Sequence, residues 1–344
     1  MRLLDHIAQC TEPFMVRQDR GDVWRLTGAA DFALPLARCP LRYVLDDELT
    51  RACVALAYSD GDQLSGCLDL LRIPAEHMWV EWNEAVRRDE LSRLIPGSAL
   101  AGAADALRAG TLVSAPPHGR SGTLRTFWLT ADASPQPLLA AVETVIALDG
   151  GVDRAPPEAL LAGRTVTVRD SCSQPLDALL QCVGFRLEPS WQRYYRSEAL
   201  NDEMRAQLIR HTIAAVAFDA PMLLALFLLM AVGAGLFETR VSPVQLNAKR
   251  ARLGRRPLLE HIEVSAPAFS SASARGRVDT ARGARRGPRF HHVRGHLVRR
   301  RNTIYWRGPH WRGHVRLGSV RSRTVELRLP GERHSSRNGA RRAR

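Results

Sequence analysis

Charge is divided along this chain more sharply than any other property. From Arg240 onward, 27 Lys and Arg stand against 5 Asp and Glu, a net of +22. The 239 residues before it hold 22 basic and 30 acidic residues, a net of −8. The overall +14 therefore does not describe a uniformly basic protein. It describes an acidic-to-neutral body that carries a cationic C-terminal third. A field of one sign on one segment attracts polyanions, and nucleic acid is the commonest of these.

A chain of 344 residues suffices for one large domain or two ordinary ones, and a hydrophobic content of 45% lets the body bury a core. Lys249 is the sole lysine, so the cations are arginines. Their planar forks hold phosphates and stack on rings better than lysine does. Cys10, Cys39, Cys53, Cys67, Cys172 and Cys182 are scattered through the body with no C-x-x-C pair. That usage suits reduced thiols in a cytosolic protein. The opening Met1-Arg2-Leu3-Leu4-Asp5-His6 lacks the apolar stretch of a secretory signal, which adds to the expectation of a cytoplasmic location.

Ala220 to Phe237 is uncharged and mostly apolar, and its 18 residues reach the lower limit of a membrane span. Asp219 and Pro221 at one end, and Gly233 and Gly235 at the other, favour a helix buried in a protein core. A single-span membrane protein is the competing reading.

Breakers Pro13, Pro35 and Pro40 make the first 45 residues look irregular. Asp46-Asp47-Glu48 opens a helix with Leu49, Ala52, Cys53 and Leu56 on one face. A short helix is expected over 63–71 and another helical stretch over 91–107. Met78 to Trp82, Thr111 to Val113, Thr123 to Thr130, Ala140 to Leu148 and Thr165 to Val168 read as strands. A short helix over 175–183 follows, then a mostly helical 198–237 divided or kinked at Pro221. Ser242-Pro243 reads as a cap and first turn, and 258–264 as a strand. The pattern predicts an α+β body over 1–264, with helices on a mainly antiparallel sheet. Residues 265–287, rich in Ser, Ala, Arg and Gly, read as a flexible linker. A small basic β-rich module over 288–329 and a disordered Arg-rich tail over 330–344 complete the chain.

The C-terminal module holds a near-repeat. His292-Val293-Arg294-Gly295-His296 is echoed by His310-Trp311-Arg312-Gly313-His314. Between the copies lies Thr303-Ile304-Tyr305-Trp306-Arg307. Aromatic rings stack bases and arginines hold phosphates, so the candidate RNA or single-stranded DNA contacts are Arg289, Arg294, Arg299, Arg300, Arg301, Tyr305, Trp306, Arg307, Trp311, Arg312 and Arg316. The competing use of Tyr305, Trp306 and Trp311 is to fill the module's own core. His292, His296, His310 and His314 have the right chemistry for an acid/base pair in a metal-independent nuclease. As metal ligands they lack cysteine or carboxylate company, and the arginines around them repel a cation. No P-loop, G-x-S-x-G, G-x-G-x-x-G or H-E-x-x-H signature occurs, so neither a cofactor nor an established catalytic motif is implied.

Two further segments carry a resemblance. Asn247-Ala248-Lys249-Arg250-Ala251-Arg252-Leu253-Gly254-Arg255-Arg256-Pro257-Leu258 gives N-x-x-R-x-x-x-G-x-x-P-L, and Arg289-Phe290-His291-His292-Val293-Arg294-Gly295-His296 leads into the repeat. With the order of elements before them, these segments look like a broad group of phage, prophage and plasmid proteins. More distantly, the chain resembles the family of anti-CRISPR proteins that inhibit the type V-A effector nuclease. The resemblance implies a mobile-element protein that counters a host defence. It would act on production of the effector through contacts with a host protein and nucleic acid. It transfers no catalytic residue. The expectation is a cytoplasmic binding protein, with a His-dependent nuclease as the enzymatic rival.

Overall fold

The structure is a computed structural model. It describes the chain apart from residues 18–20, 59–63, 96–104, 117–118, 132–135, 153–154, 168–180, 198–199, 233, 235, 267–288, 294–295, 301–302, 308–309, 313 and 320–344. The expected linker and tail fall almost wholly outside the described residues, as does most of the helix expected over 175–183.

The chain divides into two compact units: Met1–Phe269 with Leu297–Arg307, and Ser270–His296 with Gly308–Arg344. The stretch 288–329 is thus shared between them.

The body is α+β. Its helices are α1 (Leu3–Gln9), α2 (Ala33–Arg38), α3 (Asp47–Tyr58), α4 (Glu84–Leu94), α5 (Pro189–Arg196), α6 (Asp202–Val216), α7 (Asp219–Ala231) and α8 (Val244–Arg252). A short ribbon pairs β1 (Phe14–Arg17) with β2 (Val23–Leu26). The main sheet has nine strands: β3 (Leu41–Leu45), β4 (His77–Asn83), β5 (Ala106–Ser114), β6 (Ser121–Thr130), β7 (Pro137–Leu139), β8 (Val142–Ala147), β9 (Val183–Leu187), β10 (Phe237–Val241) and β11 (His261–Ser265). Their order is β10-β11-β3-β4-β5-β6-β8-β9, with β7 beside β6. Pairing is antiparallel except where β3 lies parallel to both β4 and β11.

Alternation along the strands feeds two cores. Met78, Val80, Trp82, Leu124 and Trp128 meet α3 and α7 on one face. Trp79, Leu112, Phe127 and Leu129 meet α1 and α2 on the other. Beneath Trp79 stands Gly110, where a Cβ would lie 2.3 Å from the indole, so a side chain at 110 would force the ring out.

The apolar run becomes α7, with every residue from Asp219 to Leu229 buried against sheet and α3. The span Asp202–Ala231 is long and apolar enough to cross a membrane, but its most apolar window is 83% buried inside the body. Pro221 sits in the first turn of α7, where its missing N–H costs nothing, and the break from α6 comes just before it at Ala217-Phe218.

Several local expectations are corrected. The described part of the first 45 residues holds two helices and three strands. Strand β5 begins at Ala106, so the helical stretch toward 107 ends early at Leu94. Phe237 opens a strand instead of ending a helix. Val166 forms only an isolated bridge to Phe185. Pro243 precedes α8 without a side-chain cap from Ser242, whose hydroxyl instead meets Glu260.

Candidate functional site

Five short strands occupy the described part of the C-terminal region: β12 (Arg289–Val293), β13 (His296–Arg300), β14 (Thr303–Arg307), β15 (His310–Arg312) and β16 (His314–Ser319). The backbone at each described candidate is therefore extended. Arg289 and His292 lie on β12; His296, Arg299 and Arg300 on β13; Tyr305, Trp306 and Arg307 on β14. His310, Trp311 and Arg312 lie on β15, and His314 and Arg316 on β16. Arg294 and Arg301 lie outside the described residues.

The repeat acquires a geometric meaning in this arrangement. Strands β12 and β15 pair antiparallel with His292 opposite Trp311 and Val293 opposite His310. The first position of each copy thus faces the second position of the other, which is a local two-fold relation between the copies. His292 and His310 stand on neighbouring rungs, and neighbouring rungs alternate between the two faces of a sheet. The register therefore does not set these two histidines opposite one another. β12 also pairs with β16, with Arg289 opposite His314.

Strands β13 and β14 form a separate two-stranded sheet. Tyr305 and Arg307 are two residues apart on β14 and so share a face. Both are exposed, Tyr305 at 38%, and so is Arg312 on β15.

The Asn247-to-Leu258 motif explains itself structurally. Asn247 donates to the Leu258 carbonyl at 3.0 Å and accepts from the Leu258 N–H at 2.7 Å. Arg250 Nε donates to the Arg256 carbonyl at 2.8 Å. Gly254 has φ +63°, the left-handed conformation that ends a helix. These bonds brace a tight return after α8, and the brace displays Lys249, Arg252, Arg255 and Arg256 to solvent. Sequence reading did not count these four among the contacts, although their spacing around a glycine was visible.

The body offers ionisable groups of a different kind. Glu84, Arg87 and Asp219 have side chains 2%, 3% and 0% exposed. Arg87 reaches Glu84 at 2.6 Å and Asp219 at 2.8 Å. Trp82 Nε1 donates to Glu84 at 2.8 Å, and Thr126 Oγ1 donates to Asp219 at 2.7 Å. Burial pushes the Asp219 carboxyl up to about 6 against the opposing pull of Arg87. Each of the four carboxylate oxygens accepts from a named donor, and the cluster binds α7 and α4 to the sheet.

On the opposite face, Phe32, Cys39, His77, Leu112 and Arg125 line a groove of about 390 Å³. Burial pushes the Cys39 thiol up, and the thiol donates to the Leu41 carbonyl, the reverse of an activated nucleophile. Cys10, Cys39 and Cys53 are free thiols. Among the described residues, no group of three or more His, Cys, Asp or Glu could hold a metal ion.

No family model, no curated protein and no solved structure matches the chain.

Proposed function

We propose that this is a cytoplasmic binding protein whose arginine-rich C-terminal region holds single-stranded nucleic acid, RNA or DNA. The observation that carries the reading is a charge imbalance that no arrangement within the segment can cancel. Residues 270–344 hold 21 arginines and 3 acidic residues. Strand β14 offers the complementary device for a base, an exposed tyrosine beside an exposed arginine on one face. Lys249, Arg252, Arg255 and Arg256 add a second group of exposed cations, on the body.

The resemblance to mobile-element proteins and to the anti-CRISPR family supports a biological setting for that contact. In this reading the α+β body binds a host protein and the pair of contacts disables a host defence. The buried α7 supports a water-facing body over a membrane-spanning one.

Labelled RNA, single-stranded DNA and duplex DNA are titrated with the full chain across a salt series. Tighter binding of the single strands is expected, with log affinity falling steeply against log salt. Absence of binding at low salt by the folded protein would remove the reading. Oligonucleotide cleavage that vanishes in His296→Ala would replace it with the nuclease.

A further inference from the structure

Among the described residues, the main sheet ends on β10, which pairs with β11 and has no neighbour on its outer side. Its first four residues are exposed, and Phe237 is 60% exposed. Proteins blunt such edges with lysine, proline or a bulge, because an open row of N–H and C=O groups invites another strand. β10 has no lysine, proline or bulge, and the two charges it carries are of opposite sign; its five residues are Phe237-Glu238-Thr239-Arg240-Val241.

That order is self-complementary. Laid antiparallel on a copy of itself about Thr239, Phe237 meets Val241, Glu238 meets Arg240, and each pair occurs twice by symmetry. Moving the axis to position 238 or 240 sets Glu238 against Glu238 or Arg240 against Arg240. Moving it by half a residue leaves neither charge opposite its complement. Only the Thr239 register satisfies both charges, and like charges directly opposite are unfavourable. Within one copy no ion pair or side-chain hydrogen bond joins Glu238 or Arg240 to another described residue, so both side chains are open to a partner. The β10–β11 register sets Glu238 and Arg240 opposite Val264 and Ile262, and Phe237, Thr239 and Val241 opposite Ser265, Glu263 and His261. Charged pairs would line one face of the joint and Phe–Val pairs the other.

We propose that β10 is a dimer edge, pairing antiparallel with β10 of a second copy about a two-fold axis at Thr239 and joining two nine-stranded sheets into one. A two-fold interface of this kind uses the same patch on both subunits, and one strand suffices to generate it.

The test is sedimentation of the full chain, freed of nucleic acid by nuclease, over a range of concentrations. The wild type is expected to be dimeric at the upper concentrations. Arg240→Glu sets four carboxylates across the joint and Glu238→Arg sets four guanidiniums; each should weaken the dimer by roughly tenfold or more. Two arms separate a specific register from general charge effects. The double variant Glu238→Arg/Arg240→Glu keeps the net charge and the self-complementarity, so its dimer should return. An equimolar mixture of the two single variants should form a heterodimer, because each supplies what the other lacks. A monomeric wild type, or a double variant no tighter than the singles, overturns the proposal. These residues are exposed, so unchanged melting temperatures will show that the variants fold.

Discussion

Arg87 in the body and Arg307 near the C-terminal end are the same residue in opposite situations. Arg87 is buried, its guanidinium pinned between two carboxylates and over the Trp82 ring. Arg108 and Arg125 repeat the pattern against Glu81, Glu143 and Glu188. Arg307 is exposed, on a segment where arginines outnumber acids seven to one. The difference teaches that arginine content alone says nothing about function. What matters is whether the local sequence supplies the anion. Where it does, the arginine holds the fold; where it does not, the anion must come from outside.

That contrast can be broken most forcefully at Arg87. Arg87→Ala leaves two buried carboxylates without their cation, and a loss of about 3–5 kcal/mol in unfolding free energy is expected. Urea denaturation measures it, and oligonucleotide affinity of the folded fraction should not change. Glu81→Gln is the next test. Glu81 accepts from the Leu3 and Leu4 N–H groups at 3.0 Å each and pairs with Arg108. Gln keeps one acceptor but loses the charge, so a cost of about 1–3 kcal/mol is expected, read by melting. On the other side of the comparison, Tyr305→Ala should leave melting unaltered and weaken single-strand binding by about 1–3 kcal/mol, with little change in salt slope. Arg307→Ala should reduce that slope by about one unit and spare stability. A drop in melting temperature for either would place it with Arg87.

The last test concerns pH. The Asp219 carboxyl is raised to about 6 in the folded body, above its unfolded value near 4. The folded state therefore holds a proton that the unfolded state releases. The associated stability is complete below about pH 4 and is lost as pH rises through about 6. Asp219→Asn should flatten the change in melting temperature across that window. An unchanged profile would show that Arg87 keeps Asp219 ionised throughout.

Local pattern made some of this legible. The acidic first turn and apolar face of α3, the alternation along β6 and the all-round apolarity of α7 each announce their element from neighbouring residues alone. Helix α1 did not, because what holds it lies far away. Its first amides rest on Glu81, and Asp5 accepts from the Leu259 N–H at 2.9 Å, 254 residues along the chain. Ala106 and Leu107 read as the tail of a helix because alanine and leucine favour one; pairing of Ala106 and Arg108 with β6 overrides that preference. In the candidate interface, residue types and the repeat were legible, but the cross-strand register of the two copies was not. A repeat states that two segments are alike and leaves open how they meet.

The parallel pairing of β3 with β11 carries a consequence for synthesis. β3 ends at Leu45 and β11 begins at His261, so one side of a buried central strand stays empty while some two hundred residues are translated. At ordinary elongation rates that interval is on the order of ten to forty seconds. Ribosome-bound chains arrested before β11 should be cut by protease along β3, and chains arrested well past it should resist. The arginine-rich stretch leaves the tunnel after β11, so the body can close before its cations reach ribosomal RNA outside.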